Sequence, residues 1–526
     1  MKWVFILTQS RRKWWVLATV SLTVFMAMLD ITIVNVALPD IQQAFSSSFS
    51  NLQWVLNAYT LVYAAMLLPV SKLGDIIGRK KVFLLGLGIF MIGSLASGLA
   101  NSDIWLNIFR GFQGIGGAAM MSLSLTIVTS SFPEKQRGLA LGIWSSAVGL
   151  AIAGGPLVGG ALVDAFGWRS IFLVNIPVAV VAIILGMFVI KESETNKNGR
   201  IDIWGLIFST AMIFTMILAL IQKSVNGDYA WTNWHILTLL GLSLILLIAF
   251  IITERKVEQP MIELSVFRNW TFNGANIAAF VLSAGLYGGF TYLTIIMQNY
   301  MGYSAFDTGA KMLLISGFTI VLGPIAGIIS GKIGNRWLVS GALLIGAIGI
   351  FVMRYMIKAP FEWSYLMPGF ILLGISNALV NPPITNAAMS SVNKEYVGMA
   401  SGILNVFRQV GISFGVVMLG IKLTEGYNAS LNTSIMNLAN IPTEFRNQML
   451  DVFHKAGAFG GSQVFDSKQA EAYKAMPAFD EMKSLVFNAF NSGMQNVTLL
   501  IGIFLIIGTF ASAILIKNKK NTQNGN

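Results

Sequence analysis

Apolar positions in this chain fall in long, nearly unbroken runs, and the polar residues gather between them. A run of about 20 apolar residues crosses a hydrocarbon layer of roughly 30 Å at 1.5 Å per residue. Fourteen runs qualify, at 14–37, 52–73, 81–100, 103–130, 138–163, 169–190, 201–221, 234–253, 272–297, 307–330, 337–357, 364–390, 397–423 and 493–516. The seventh and eighth are the least sharply bounded, because only QKSVNGDYAWTN separates them. The pattern predicts an all-α membrane protein of fourteen transmembrane helices. One segment breaks the rhythm. Residues 424–492 are polar and charged with helix-like patches such as TEFRNQMLDVF, and read as an extracellular hairpin or small helical cap between two good spans.

A faint repeat organises the runs. KLGDIIGRKKVFLLG follows the second and GKIGNRWLVSG the tenth, each a short loop of glycine and basic residues between helices. Weak internal repeats are the usual trace of duplicated transporter halves. The expected layout is a flank at 1–13, an N-terminal six-helix bundle at 14–190 and two inserted helices with linkers at 191–271. A C-terminal six-helix bundle at 272–516 carries the external segment, and a tail follows at 517–526.

Composition agrees with a membrane protein: 55% of residues are hydrophobic and 11% charged, where soluble domains carry about 25% charged residues. The chain has no cysteine, and its two histidines, His235 and His454, stand far apart, so neither a metal site nor a cofactor is expected. The net charge of +12 suits nucleic acid as readily as a membrane until position is considered. With both termini placed in the cytoplasm, the inner segments hold 22 Lys and Arg and the short outer loops 5. That asymmetry orients a protein in the cell membrane and argues against nucleic acid.

Chemistry is sought where polarity interrupts the apolar runs. Asp30 lies in LDITIVNVALP, about 9 residues before Pro39, hence roughly 13 Å below the outer boundary. A charged side chain at mid-helix costs about 2.5–3.5 kcal/mol on insertion scales, so it needs a reason. Thr23, Met26 and Asp30 share one helical face. In RGFQGIGGA, Arg110 lies roughly 10 Å deep with Gln113 on its face. The two charges either form a permanent structural ion pair or tune each other for binding and releasing a proton. In the thirteenth run Arg408, with Asn405 and Gln409, makes a polar stripe that reads as cavity lining, which Asn377 and Asn381 can share. Tyr59, Tyr63, Tyr287 and Tyr292 are candidate aromatic walls, with core packing the competing reading for each. Asp75, Arg79 and Lys80 in KLGDIIGRKK, with Glu134 and Arg137 on the next loop, are either a topology anchor or a charge cluster that breaks and reforms at a gate. Gly154, Gly155, Pro156, Gly159 and Gly160 predict a kinked, closely packed fifth helix. No phosphate-binding loop is present to support ATP drive.

Taken together, LDITIVNVALP, KLGDIIGRKK, RGFQGIGGA and GGPLVGG with the following WRSIFLVNIPV resemble the fourteen-helix drug:proton antiporters of the major facilitator superfamily, the QacA/EmrB-like multidrug exporters. The resemblance implies the major facilitator fold. It gives Asp30 and Arg110 to proton coupling, with Asp30 also able to meet cationic substrate. Asp75, Gly78, Arg79 and Lys80 become the gating loop, and the glycine-proline run marks export rather than uptake. Ser71 and Ile76 depart from the gating motif, which ordinarily has glycine and a basic residue there. The expected substrate cavity comprises Met26, Asp30, Tyr59, Gln113, Tyr292, Asn377, Asn381, Asn405 and Arg408. The expected activity is not enzymatic: proton-coupled efflux of hydrophobic, chiefly cationic, drugs by alternating access, with protons, a small-molecule substrate and the bilayer as partners. Two alternatives stand beside it, a lipid or fatty-acid exporter on the same scaffold and a non-transporting membrane sensor or assembly platform.

Overall fold

In a bilayer, backbone N–H and C=O groups must be satisfied within the segment, so each apolar run becomes a helix. The computed structural model describes residues 9–45, 49–193, 202–225, 230–438, 443–466 and 478–517. Its helices are α1 (Gln9–Phe45), α2 (Phe49–Ile77), α3 (Arg79–Gly98), α4 (Asp103–Ser131) and α5 (Glu134–Phe166). The span Ser170–Val189 is α6; α7 (Ile203–Val225) and α8 (Trp234–Lys256) are the inserted pair. Trp270–Tyr300 is α9, followed by α10 (Ala305–Ile333), α11 (Asn335–Met356), α12 (Trp363–Ser390), α13 (Val397–Met436) and α14 (Ala478–Leu515). Thirteen are long and apolar enough to cross a membrane unbroken; α5 makes the fourteenth, bent by 45° between Ile152 and Gly154, within the stretch whose glycines predicted a kink. Most of the flank 1–13 and the tail 517–526 lie outside the described residues.

Helix ends follow local chemistry. Ser102 and Ser304 accept the N–H groups of Trp105 and Asp307 at the starts of α4 and α10, satisfying donors that have no intrahelical partner. The faint sequence repeat has a conformational cause. Gly78 joins α2 to α3 at φ +119°, and Gly334 joins α10 to α11 at φ +90°, a backbone region that side chains with a Cβ rarely occupy.

The repeat extends to packing. The second helix of each half lies against the fifth of the other, α2 on α13 and α5 on α10. Within each half the first helix also packs on the fifth and sixth, and the fourth on the second and third. The inserted α7 packs on α8, α2 and α13, so the extra pair touches both halves.

Two features depart from the apolar pattern. Within 424–492, α13 runs on to Met436 and α14 begins at Ala478, with a cap helix, Thr443–Gly460, broken at Gly457, between them. The helices outlast their apolar stretches because helix formation does not require an apolar surface once the chain leaves the oil. The cap docks on α9, where Tyr300 Oη donates to Ala458 O (2.7 Å) and Asn299 Nδ2 to Phe459 O (2.8 Å), and Tyr300 stacks on Phe490 of α14. The second departure is a widening of α9 into π-turns at Ser283–Tyr287 and Ile296–Tyr300, a feature often found at functional positions.

The first π-turn depends on close approach of α13. A Cβ at Gly415 would collide with Ala284 O. Gly415→Leu is expected to lower stability by at least the roughly 1–3 kcal/mol typical of overpacking, read as a depressed melting temperature of the detergent-solubilised protein.

Candidate functional site

Asp30 and Arg110 meet. Their side chains form an ion pair (Arg110 Nη1 to Asp30 Oδ2, 2.5 Å) at 0–1% exposure. Neither charge is left with a bare flank. Gln113 Nε2 and Asn175 Nδ2 donate to Asp30 Oδ1 at 3.0 and 2.9 Å. Arg110 donates further to Gln113 Oε1 (2.7 Å) and Val55 O (3.2 Å). The guanidinium lies 4.4 Å from the centre of the Tyr59 ring, a cation–π distance. Asn175 Nδ2 also reaches Ser94 Oγ, which donates to Phe172 O. Helices α1, α2, α3, α4 and α6 thus converge on one carboxylate.

Small residues permit that convergence. A Cβ at Gly117 would meet the Tyr59 hydroxyl, and one at Gly155 would meet Thr32 on α1. In the glycine-proline run Gly155 and Gly159 face α1, whereas Gly154 and Gly160 face open space and Pro156 meets Gly309 of α10. Close packing is therefore the work of part of the run.

A second polar cluster lies in the C-terminal half. Tyr287, at the end of the first π-turn, donates to Asn377 Oδ1 (3.0 Å) and accepts from Asn381 Nδ2 (2.9 Å). Asn377 Nδ2 reaches Thr319 (3.2 Å), and Arg408 Nη2 reaches Thr385 (2.9 Å). Tyr63 and Tyr287 are the electrostatic neighbours of Arg408, and Tyr63 stacks on Tyr59 with ring centres 5.9 Å apart. The Tyr59–Tyr63 stack bridges the two clusters.

Three expected cavity residues are employed elsewhere. Tyr292 donates its hydroxyl to Val416 O and packs near Phe459 of the cap helix. Asn405 donates back to Ser401 O on its own helix (3.0 Å). Met26, on α1, is buried in the apolar core. Conversely Asn175, Ser94 and Thr319 were missed, because a lone amide or hydroxyl within a span gives no signal before its partner is known.

Between the halves at this level, beside Gly149, Ile152, Tyr287 and Asn377, the open volume is about 20 Å³, room for one water and not for a drug. A far larger cavity, about 1260 Å³, opens on the face that carries the α2–α3 turn, lined by Lys72, Asp75, Arg79, Arg137 and Pro260 among others. Acidic residues line it as well, among them Glu134, Glu258, Glu263 and Glu395. Above the cavity the halves touch: Ser71 Oγ donates to Gly398 O (2.5 Å), Ser401 Oγ to Ser122 O (2.7 Å), and Gly138 packs directly on Gly327.

The α2–α3 turn is tightly held. Asp75 pairs with Arg79 (2.9 Å), which reaches Ser130 (3.1 Å). Asp75 also accepts the N–H of Met399 in the first turn of α13, where the helix dipole favours negative charge. Glu192 accepts the N–H groups of Lys80 and Lys81 and lies against Gly78, while Lys80 Nζ donates to Met187 O. Arg137 donates to Phe132 O.

Residues 20–416 match the Major Facilitator Superfamily. The multidrug resistance protein Stp of Mycobacterium tuberculosis is 33% identical over 81% of this chain and 79% of its own length. The multidrug transporter protein MdtP of Bacillus subtilis is 34% identical over 76% of this chain and 73% of its own. Among solved structures, the human organic anion transporter MFSD10 superposes with a TM-score of 0.60 at 13% identity, covering 94% of this chain and 99% of that one, a likeness of fold alone.

Asn175→Ala removes a donor from Asp30 and from Ser94. The expected loss is about 1–3 kcal/mol, the cost of leaving buried acceptors short of a partner, measured by thermal or denaturant unfolding.

Proposed function

The chain belongs to the Major Facilitator Superfamily, among its fourteen-helix drug exporters, and from that premise we propose that it exports hydrophobic drugs across the cell membrane in exchange for protons through the Asp30–Arg110 pair. By the distribution of Lys and Arg among the loops, the face that carries the α2–α3 turn is the cytoplasmic one, which puts both termini inside and the cap helix outside.

The observation that carries the reading is the buried ion pair and its aromatic bridge to the Arg408 cluster. In the conformation described, Asp30 accepts three side-chain donors and is buried from bulk water. A proton arriving on Asp30 takes the place of Arg110 as its neutralising partner and frees the guanidinium. A cationic drug can do the same, since Asp30 offers it a counter-charge only when Arg110 lets go. Proton and drug thereby compete, which is the requirement of antiport. Either shifts the equilibrium because it binds the two states unequally.

Alternating access follows from the seams. The cytoplasmic cavity ends where α2 meets α13 and α5 meets α10, so the halves must part at Ser71–Gly398, Ser401–Ser122 and Gly138–Gly327 for a drug to reach the centre. Asp75, seated on the first turn of α13, is the latch on that seam. Asn377, Asn381, Tyr287 and Arg408 then supply polar contacts on the far wall.

The test is drug-induced proton release from purified protein, screened over cationic dyes, neutral antibiotics and fatty acids. Release by dyes or antibiotics is expected, and its disappearance in Asp30→Asn. Release by fatty acids alone would transfer the assignment to lipid export. Breaking one side of a buried pair costs about 3–5 kcal/mol, so the Asp30→Asn/Arg110→Gln double variant supplies the control. It should recover stability relative to Asp30→Asn yet remain uncoupled. Asp75→Asn, which weakens the latch, is expected to raise labelling of a cysteine placed at Ser401 by a cytoplasmic thiol reagent.

A further inference from the structure

The inserted pair takes no part in the transport cycle above, yet it holds an unusual group of charges. Asp202 immediately precedes α7, and its Oδ1 accepts the N–H of Gly205 (2.8 Å). Glu254 lies in the last turns of α8, and its Oε2 accepts the N–H of Ile262 (2.9 Å). The residues are 8% and 5% exposed. Each has one oxygen to spare, Asp202 Oδ2 and Glu254 Oε1, and both are buried without a hydrogen-bond partner. Both crowd the position that a methyl group on Gly205 would occupy. The two unsatisfied carboxylate oxygens therefore converge on one point, each within 2.6 Å of it.

Two ionised carboxylates cannot share such a site, because like charges at short range prevent both from ionising. The surrounding charges decide how many protons are held. Among the described residues Lys72 of α2 is the cation near both, with Nζ donating to Pro260 O (2.6 Å). Of the other groups facing Lys72, Asp75 is paired with Arg79, and Glu263 accepts the N–H of Ser265. With one proton the pair carries a single negative charge that Lys72 cancels, and an O–H···O bond satisfies both spare oxygens. With no proton the cluster has an excess negative charge. With two, Lys72 loses its counter-charge. A divalent metal is a poor fit, since it needs about six or more oxygen ligands and the pair has two to give.

We infer that Asp202 and Glu254 form a carboxyl–carboxylate pair that binds one proton, a site built by the inserted helices against the Lys72 end of α2. Lys72, Pro260 and Glu263 line the large cytoplasmic cavity, so the proton exchanges with the cytoplasm. Its loss sets two like charges against each other and loosens the α7–α8 ends from α2. The folded protein holds a proton there that the unfolded chain has already released at neutral pH, so the site adds stability at low pH and loses it as pH rises.

Infrared titration of the purified full-length protein tests this without substrate, and therefore independently of any coupling role for Asp30. A protonated-carboxyl C=O band is expected near neutral pH, disappearing on alkalinisation. It should be lost in Glu254→Gln and in Asp202→Asn, where an amide N–H replaces the shared proton and the fold survives, and retained in Asp30→Asn. Lys72→Met should move the band's disappearance to higher pH. The wild-type melting temperature should fall across the titration while that of Glu254→Gln stays flat. A band indifferent to both substitutions overturns the proposal. So does stabilisation of the wild type, but not of Glu254→Gln, by sodium or potassium at alkaline pH, which would make the site a metal-cation site.

Discussion

Everything in the N-terminal half is arranged around one carboxylate that cannot be left alone in oil. Moving an ion from water into a protein interior costs several kcal/mol even after relaxation, and attraction between opposite charges offsets this only with good geometry and satisfied hydrogen bonds. Asp30 and Arg110 meet both conditions, with Gln113, Asn175 and Val55 completing the set. Such a pair is poor evidence for stability as such and suits a switch. Breaking a buried pair costs about 3–5 kcal/mol, and swinging a two-state equilibrium from 1:99 to 99:1 takes about 5.5 kcal/mol. The magnitudes are comparable, so a ligand that replaces one partner can move much of the conformational balance.

The fold answers a second constraint, that the switch be readable on either side of the membrane. Duplicated halves joined through like pairs of helices give two seams of unequal closeness, α5 packing far more extensively on α10 than α2 on α13, and close glycine contact along α5 and α10 lets backbone meet backbone there. Packed interiors have discrete arrangements and resist continuous deformation. Hence a void of about 20 Å³ beside Tyr287 and Asn377 coexists with a cavity of about 1260 Å³ on the face of the α2–α3 turn: opening one level does not gradually open the next.

How much of this could be read from the residues depended on the kind of signal. The fourteen spans were legible because hydropathy acts over twenty residues at once. Asp30 and Arg110 were legible because charge is conspicuous in an apolar run, and their similar depth suggested pairing without establishing it. Asn175 was illegible: within the sixth run it is one amide among apolar residues, and its meaning comes from two acceptors on other helices. Tyr292 and Asn405 show the converse, since their polar atoms bond backbone carbonyls that a pattern cannot display. Asp202 and Glu254 sit at span boundaries where charges are ordinary, and only burial and a shared glycine set them apart. The π-turns of α9 had no sequence signal to find.

Helix α2 connects these features. Tyr59 lies on Arg110, Tyr63 near Arg408, Ser71 bonds the seam at Gly398, Lys72 faces the carboxyl pair, and Asp75 sits on the start of α13. From Tyr59 to Asp75 the helix rises about 24 Å at 1.5 Å per residue. Movement of this one element relative to α13 therefore disturbs the coupling pair, the far wall of the centre, the closed seam and the inserted helices together. An added helix pair that merely faced lipid would need no buried charge at its base. Placing one against α2 gives α7 and α8 a reason to be there: they bear on the helix that the transport cycle has to move.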